Sequence, residues 1–592
     1  MDAENQSQWD LSDLYSHPGD PQIEGDRARS KALVAEFAAT WRGRVASLSG
    51  TELAEALGQL EAIQALSRRP GHYADLRFAQ DGEDSERQAA VAAAQAFGSE
   101  INQALAFFSV ELKEVDEAAL AALPDRAGLA TYEHWLSYER QFAVHTLTED
   151  AERTSSRKNV TGKTAWVNLY MQITSGIRYS MEVDGEVKEM TRAEASAFLS
   201  KPDRALREAA RDALHGGFKP HRDVLTFVFN TLFEDHRLDM DERGYADVMG
   251  FSVKEDELTT EIVENLLDST SAAYPTVHRY HQLRKRVLGL DDYAYYDLRA
   301  PAFGDEPEIP WDDAVQLVRD AFAAFSPRTG EWLDSFLARR RVDVFPRPGK
   351  SSGAFCSPGY PPTEPWVLMN YNGTLDDVFT LAHELGHALH FTEALQQTPL
   401  NYWTGRCVAE TASVFAELWL HEHLMNTWTD PTRRRQLLDR QIQGAVGTAF
   451  HQVSYVNWER KAHAARAEGV VTADSFAAQW RTEMEALLGP AVALDEPDAW
   501  RWISIPHFVF ARFYCYSYAF GKLLTLALAS CWRERGDAFV DDYLNLLGSG
   551  GSRSPIDLVQ GVGLDLSDPG FWTRGLDEVA RYLDQLEELA DQ

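Results

Sequence analysis

The hydrophobic pattern of the first 200 residues is that of consecutive helices. In residues 28–48, 51–69 and 85–115, apolar side chains recur every three or four positions, which places them on one face of an α-helix. Thr51 opens the second run and is its candidate N-cap. The pattern predicts helical hairpins here, and it continues between residues 200 and 345.

Two stretches depart from the helical pattern. In residues 177–191, β-branched and aromatic residues flank Asp184-Gly185, which predicts a β-hairpin. In residues 347–374, prolines, glycines and serines interrupt the chain, and residues 366–371 predict one short strand. The helical pattern then resumes to the end. The predicted fold class is mainly α, with a small β-sheet next to residues 381–390.

Composition and charge exclude several kinds of partner. The 592 residues exceed one simple core, and 57 Lys+Arg against 91 Asp+Glu give a net charge of −34. Such a chain is not attracted to nucleic acid or anionic lipid, so we expect neither as a partner. The four cysteines lack metal-site or disulfide-framework spacing, the polar start does not resemble a signal peptide, and no apolar run is long enough to span a bilayer. We therefore expect a cytoplasmic protein.

The clearest chemical signal is the sequence LAHELGHALH at residues 381–390. A helix places His383 and His387 on one face, where both imidazoles can bind one ion, and Glu384 next to His383 can reach a water on that ion. Zinc lowers the pKa of such a water to about 7, and a carboxylate can take its proton as it attacks a carbonyl. The alternative is an ordinary core helix. However, the neighbouring positions are apolar, and burial of two unpaired histidines would be costly.

The third ligand does not come from the same helix. The metzincin pattern requires a glycine where this chain has His390 and a histidine where it has Glu393. His390 also lies about 10 Å from His383 along a helix, too far to share the ion. We predict that His390 packs or supports a ligand, and that a glutamate from the following helix completes the site.

The next predicted helix, residues 407–425, offers three glutamates. Glu410 and Glu417 are two turns apart on one face, so one can bind the metal while the other supports a ligand histidine, and Glu422 is the third. Glu410 lies among apolar and small residues, where a carboxylate needs a partner, and we assign it as the ligand. His421 and His423 point in two directions and are predicted to lie at the surface.

Four segments together resemble one known family, in the same order and with similar spacing: WDLSDLY, TLDDVFTLAHELGHALH, AETASVFAE and IPHFVFARFYCYSYAFG. The chain resembles, over most of its length, the oligoendopeptidase F family of thimet-oligopeptidase-like zinc metallopeptidases. The resemblance implies one zinc ion per chain on His383, His387 and Glu410, with Glu384 as the general base. It also implies a multi-helical zincin-type fold with a deep substrate channel, residues 1–200 being a helical domain that forms one wall and residues 201–592 the catalytic domain.

The segment 505–521 resembles the part of the family that binds the substrate and stabilises the tetrahedral intermediate. This assigns His507 and one or more tyrosines to that role. On a continuous helix, positions 507, 514 and 518 lie within about 40° of one face and position 516 points away, so Tyr514 and Tyr518 are preferred to Tyr516. The alternative is an aromatic stripe that belongs to the core.

Two further features have open alternatives. The segment 350–356 resembles a segment of the family that lines the cleft. In that interpretation Gly353 allows close approach of a substrate backbone, and the adjacent chain pairs with an extended peptide. The alternative is that the segment is a structural loop. Asp377 either orients a ligand or stabilises the start of its helix.

The motif and the resemblance predict a zinc-dependent endopeptidase that hydrolyses internal bonds of short oligopeptides with a metal-activated water. One alternative is a metal-dependent carboxypeptidase or dipeptidase. Another is a catalytically inactive peptide-binding protein, against which the intact motif argues. The sequence leaves the oligomeric state and the cleavage preference open.

Overall fold

The computed structural model describes residues 7–115, 120, 123, 126–304 and 308–591. Helices take up 71% of the chain, which confirms the mainly α prediction. The contacts within the chain group it into two compact units, each built from three stretches. Unit 1 comprises Met1–Val144, Glu306–Thr427 and Cys531–Asp565, and unit 2 comprises His145–Asp305, Trp428–Ser530 and Leu566–Gln592. Neither unit ends at residue 200, and the division of the chain there, like the substrate channel, stays a prediction.

Unit 1 begins with a bundle of three long helices that bury a shared apolar cluster containing Phe37, Leu57 and Phe108. These helices confirm the three apolar runs: Pro21–Trp41, Gly50–Gln80 and Ser85–Lys113. The other α-helices that lie wholly in unit 1 within the described residues are Glu133–Arg140, Trp311–Phe325, Pro327–Ala338, Leu375–Ala394, Arg406–Ala409, Thr411–Thr427, Asp537–Gly548 and Pro555–Gly561.

The helix Gly50–Gln80 starts before the predicted position. Its N-cap is Ser49 and not Thr51, because the Ser49 hydroxyl accepts from the Glu52 N–H at 3.3 Å while the Glu52 carboxylate accepts from the Ser49 N–H at 3.0 Å. This reciprocal pair of hydrogen bonds is a capping box, which a lone threonine two residues later cannot form.

Unit 2 is also mostly helical. Its α-helices in the described part of the chain are Glu149–Asn159, Lys163–Gly176, Arg192–Ala197, Arg204–Phe218, Arg222–Glu242, Gly250–Glu255, Thr260–Ala272, Tyr274–Val287, Pro431–Ala445, His451–Glu468, Ala473–Leu488, His507–Phe510, Cys515–Arg535 as far as Ser530, and Phe571–Ala590. Across the described residues of both units, none of the helices combines the length and the apolar character needed to cross a membrane.

Five strands complete the described structure: β1 (Tyr179–Val183), β2 (Glu186–Met190), β3 (Val342–Asp343), β4 (Phe355–Ser357) and β5 (Trp366–Leu368). Strands β1 and β2 form the predicted hairpin in unit 2, with Asp184 and Gly185 in the left-handed region at its turn. The other three form a sheet in unit 1 in the order β3-β5-β4, with β3 parallel and β4 antiparallel to β5. Strand β5 confirms the predicted strand, although it ends at Leu368.

A buried lysine fixes the loop that leads into β4. Lys350 Nζ lies 2.7 Å from the Asp343 carboxylate and donates to the carbonyl oxygens of Phe345 and Met369 at 2.8 and 2.6 Å. The loop therefore has a structural role, which is the second of the two interpretations given above for residues 350–356. Gly353 lies in the same loop with φ of +79°, a conformation that favours glycine.

The helix that carries the HExxH motif, Leu375–Ala394, packs closely against Thr411–Thr427. We call these the motif helix and the partner helix. A side-chain Cβ at Gly386 of the motif helix would lie 2.6 Å from the Ala412 carbonyl oxygen and 2.7 Å from Ser413 Cα. Only glycine permits this approach, which brings the start of the partner helix to the histidines.

Two sequence interpretations are decided by these helices. Asp377 stabilises the start of the motif helix, since its carboxylate accepts from the N–H groups of Asn372 and Thr374 at 2.8 and 3.1 Å.

His421 was predicted to lie at the surface, and this prediction is wrong, because its side chain is only 1% exposed. The partner helix packs against the motif helix and against Trp311–Phe325, so His421 has protein around it.

Candidate metal centre

Three side chains of unit 1 converge where the sequence predicts a metal. The Nε2 atoms of His383 and His387 lie 3.4 and 3.5 Å from Oε2 of Glu410. One ligand atom from each of the three residues lies within 4.8 Å of the others, so the group can hold a metal ion. Two imidazole nitrogens and one carboxylate oxygen are a donor set that suits zinc.

The electrostatics of the group also fit a cation. Burial lowers the pKa of His383, but hydrogen bonds to Glu410 and Glu417 outweigh it and raise this pKa to about 10. Burial raises the pKa of Glu410, but the two histidines hold it well below its usual value. Without a metal, a proton on His383 therefore offsets part of the negative charge of the two carboxylates. A bound cation takes over that role and releases the proton.

Neighbouring side chains orient two of the three candidate ligands. Glu417 Oε1 lies 2.8 Å from Nδ1 of His383, which directs Nε2 towards the centre of the group and matches the predicted support by this residue. Ser413 donates from Oγ to Glu410 Oε2 at 3.1 Å. The carboxylate candidate thus immediately precedes the partner helix, and the two orienting residues lie on the first two turns of that helix.

Glu384 lies next to the group and is not one of its three members. Glu384 is only 6% exposed. Burial raises the pKa of its carboxyl group, while His383 and His387 lower it. The backbone N–H of Cys356 in β4 donates to its carboxylate. The small sheet therefore lies beside the motif, as predicted, and its strand β4 touches the candidate base.

His390 is separate from the metal-binding group. It is 3% exposed, its Nε2 lies 3.2 Å from Thr404 Oγ1, and its ring stacks on Phe391. Burial lowers its pKa to about 3, so it is neutral. These contacts give His390 a packing role, one of the two roles predicted for it.

Unit 2 contains the second predicted group, which we call the donor cluster: His507, Tyr514 and Tyr518. Nε2 of His507 lies 3.2 Å from the Tyr518 hydroxyl, and the His507 ring stacks on Tyr514 with centroids 6.0 Å apart. Burial lowers the pKa of His507, which keeps the imidazole neutral. Tyr516 is fully buried elsewhere, with its hydroxyl 3.4 Å from Ser252 Oγ.

The predicted grouping in the donor cluster is present, but it does not lie on the continuous helix that the spacing argument assumed. The helix His507–Phe510 ends, the chain turns, and a new helix begins at Cys515. At the turn Phe513 has φ of +57°, which is unfavourable for a residue with a side chain. A change of chain direction, and not helical spacing alone, brings the two tyrosines to His507.

A buried glutamate that was not predicted from the sequence holds this turn. Glu459 is 0% exposed, and its Oε2 accepts from the Phe513 N–H at 3.0 Å. Burial raises its pKa to about 8, so the carboxyl group is largely protonated at neutral pH. Ser252 donates from Oγ to the Phe513 carbonyl oxygen at 3.4 Å. In the sequence Glu459 lies between Val456 and Ala462 on one helix face, which places a carboxyl group next to apolar positions.

Comparison with known families decides the affiliation. A family model described as Peptidase family M3 matches residues 197–578, well over half of the chain, and one described as Oligopeptidase F matches residues 111–179. The chain belongs to peptidase family M3. The predicted resemblance is therefore confirmed, and this M3 family member is a metallopeptidase that cleaves oligopeptides.

Individual relatives agree over almost the whole length. Oligopeptidase PepF of Bacillus subtilis is 26% identical across 98% of this chain and 87% of its own. The plasmid oligoendopeptidase F of Lactococcus lactis subsp. cremoris is 25% identical across 99% of this chain and 97% of its own. The structure of oligoendopeptidase-F from Enterococcus faecium matches with a TM-score of 0.71 at 21% identity, covering 96% of this chain and 99% of that one. It shows that the two proteins share a fold.

Proposed function

We propose that this M3 peptidase is a zinc-dependent endopeptidase that hydrolyses internal bonds of short oligopeptides. The convergence of His383, His387 and Glu410 beside the buried Glu384 carries the proposal. These three residues would hold one zinc ion per chain and leave a position for water. When bound, zinc supplies a Lewis acid that polarises a carbonyl and lowers the pKa of a water to about 7.

In this proposal Glu384 moves the proton. Its raised pKa brings the carboxylate closer to the acidity of the water that it deprotonates, and also lets it return the proton to the leaving amine. Cys356 fixes the orientation of the carboxylate through its backbone N–H. Glu417 and Ser413 keep His383 and Glu410 in their metal-binding orientation.

The donor cluster is the proposed source of transition-state stabilisation. A neutral His507 and the hydroxyls of Tyr514 and Tyr518 are hydrogen-bond donors for a carbonyl oxygen that gains negative charge. Tyr516 has no such role in the proposal, because it is fully buried beside Ser252.

The substrate binds, in this proposal, as an extended peptide along the outer edge of β4. This strand pairs with β5 on one side only, within the described residues. On its other edge the Cys356 N–H is bound to Glu384, so the peptide would pair with the backbone on either side of that group. Such binding does not depend on a chain end, which favours an endopeptidase over a carboxypeptidase or dipeptidase. We propose the cytoplasm as its location, because the cysteine spacing is that of a protein in a reducing compartment.

The test is hydrolysis of a peptide blocked at both ends, followed by mass spectrometry together with the zinc content of the protein. We expect internal cleavage by the wild type, no detectable cleavage by Glu384→Gln, and about one zinc per chain in both. Glu393→Gln is the matched control, because Glu393 is a second glutamate of the motif helix and pairs with Arg328. Cleavage confined to peptides with free ends would instead support the exopeptidase alternative. Equal rates for the wild type and Glu384→Gln would support peptide binding without catalysis.

A further inference from the structure

Unit 1 contains a cavity of about 940 Å³ that the proposed mechanism does not use. The helices Pro21–Trp41, Gly50–Gln80 and Ser85–Lys113 form one side of it, and the segment that follows β4 forms the other. Tyr360 and the half-exposed Trp403 add aromatic surface. Its size is that of a site for a small ligand or for several residues of a peptide.

The cavity is continuous with the strand that touches the candidate base. Ser357, the last residue of β4, lines it, and the preceding residue Cys356 donates its N–H to Glu384. Because alternate residues of an edge strand direct their backbone groups away from the paired strand, the outer edge of β4 faces Glu384. An extended peptide on that edge would cross from Glu384 to the cavity within a few residues, at about 3.3 Å per residue.

The charges in the cavity favour an anion. Arg29 and Arg68 line it, and neither forms an ion pair with another described residue; Arg68 stacks on the Tyr360 ring with its guanidinium 5.0 Å from the centroid. This stacking orients the guanidinium while its N–H groups keep their capacity to donate.

The other charged groups of the cavity do not cancel this preference. Arg69 is engaged with Asp26 and with two backbone carbonyl oxygens, and Asp13 pairs with Arg341. Asp75 also lines the cavity as a carboxylate, but the two arginines outnumber it. The groups available to a ligand are therefore mainly the two guanidiniums, whose preferred partner is a carboxylate.

We propose that this cavity binds a carboxylate of the oligopeptide substrate, with Arg68 and Arg29 as its donors. The inference rests on the proposed function, because it takes the peptide on β4 as the molecule that enters the cavity. The carboxylate belongs either to the C-terminus of the peptide or to an Asp or Glu side chain. Arg68 and Arg29 are thus specificity-determining residues, and the chemistry of cleavage does not require them.

Four internally quenched peptides of one core sequence separate the two sources. The first has a free C-terminus and no acidic residue, and the second is amidated and neutral. The third is amidated with one glutamate in the core sequence, and the fourth has glutamine at that position. They are tested on the wild type, Arg68→Gln and Arg29→Gln. Arg77→Gln is the matched control, because Arg77 lies on the same helix, stacks on Tyr73 with 5.9 Å to the centroid, and does not line the cavity.

We expect the wild type to prefer a carboxylate-bearing peptide about tenfold or more in kcat/KM, mainly through KM. Arg68→Gln should abolish this preference and leave the neutral peptide within about twofold of its wild-type rate, whereas Arg77→Gln should keep it. Equal use of all four peptides by the wild type, or an equal loss for all of them in Arg68→Gln, would overturn the inference.

A binding measurement separates this inference from the proposed function. The same peptides are titrated into Glu384→Gln, with and without Arg68→Gln, and followed by fluorescence anisotropy. Tighter binding of a carboxylate-bearing peptide that requires Arg68 supports the cavity even if no peptide is cleaved. Failure of the wild type to cleave any peptide contradicts only the proposed function, and carboxylate-independent binding contradicts only the cavity.

Discussion

The metal centre of unit 1 and the donor cluster of unit 2 are built in different ways. In the metal centre, His383, Glu384 and His387 come from one uninterrupted helix, and the third candidate ligand immediately precedes the helix packed against it. In the donor cluster, His507 and Tyr518 come from two helices separated by a turn at Phe513. Spacing fixes side-chain direction in the first case, whereas in the second the turn has to be held by other residues.

This difference has an energetic side. The helix of the metal centre is stabilised by its own hydrogen bonds and by close packing at Gly386. The turn of the donor cluster contains a residue with positive φ, which costs on the order of 1–3 kcal/mol, and it depends on the Glu459 carboxyl group. We therefore expect the metal centre to fail when a ligand is lost, and the donor cluster to fail also through residues that never touch substrate.

The largest effect should follow from removal of the candidate third ligand. Glu410→Ala leaves two imidazoles as ligands. Loss of a residue that only supports a ligand lowers metal affinity by up to about 100-fold, so we expect loss of a ligand itself to lower it further. Activity should fall to background at limiting zinc. Zinc content after dialysis and peptide hydrolysis measure this. The control is Glu422→Ala on the partner helix, where Glu422 pairs with Arg533. Retention of zinc by Glu410→Ala would exclude it as a ligand.

Next in size should be the loss of one hydroxyl from the donor cluster. Tyr518→Phe removes the hydroxyl that lies 3.2 Å from His507, and loss of one oxyanion donor costs about 100- to 1000-fold in kcat. Zinc content should not change and KM should change little. Tyr516→Phe removes a buried hydroxyl beside Ser252 and is the matched control. Equal losses in the two variants would assign both tyrosines to the core.

A smaller effect is expected from the residue that orients His383. Glu417→Ala removes the carboxylate 2.8 Å from Nδ1, and loss of such a partner lowers metal affinity about 10- to 100-fold. Because all three candidate ligands remain, excess zinc should restore most of the activity. Competition with a zinc chelator measures the affinity. If activity stays low at saturating zinc, Glu417 acts on the reaction itself and not through the metal.

The sequence predicted what depends on periodicity and on the resemblance to a known family. The apolar runs, the hairpin turn at Asp184-Gly185 and the support of His383 by Glu417 all follow from side-chain direction in regular structure. The Ser49 cap was missed because the choice between nearby caps depends on the reciprocal hydrogen bond to Glu52. His421 was misplaced because the pattern of one helix does not reveal how many neighbours cover it.

Residues that act over long sequence separations were not predictable in this way. Cys356 reaches Glu384 through its backbone, which carries no residue-type signal. Gly386 did leave a signal, since glycine inside a helix costs roughly 1 kcal/mol and marks a close approach. Glu459 lies 54 positions before Phe513, and only the fold brings the two together. For the donor cluster, the resemblance supplied the residues but not the turn that assembles them.

The smallest and most specific prediction concerns Glu459. Glu459→Met removes the acceptor of the Phe513 N–H, a hydrogen bond with a net contribution of about 1 kcal/mol, so we expect kcat to fall roughly five- to tenfold. Glu459→Gln should restore most of kcat, because its amide oxygen can accept the same bond. The decisive measurement is a double-mutant cycle with Tyr518→Phe. If Glu459 acts through the donor cluster, its loss should cost little once the Tyr518 hydroxyl is absent. Full additivity would show that it stabilises only the fold.

The same variants have a distinct pH signature. Burial raises the pKa of Glu459 from 4.5 to about 8, so the folded state keeps a proton that the unfolded chain loses. Its contribution to the free energy of unfolding is therefore intact below about pH 4.5 and declines as the pH rises towards 8. Urea unfolding between pH 5 and pH 9 should show this decline in the wild type and a weaker one in Glu459→Gln. An identical pH dependence in both would mean that the carboxyl group is already ionised in the folded protein, and the turn at Phe513 would then be held by a charge that glutamine cannot replace.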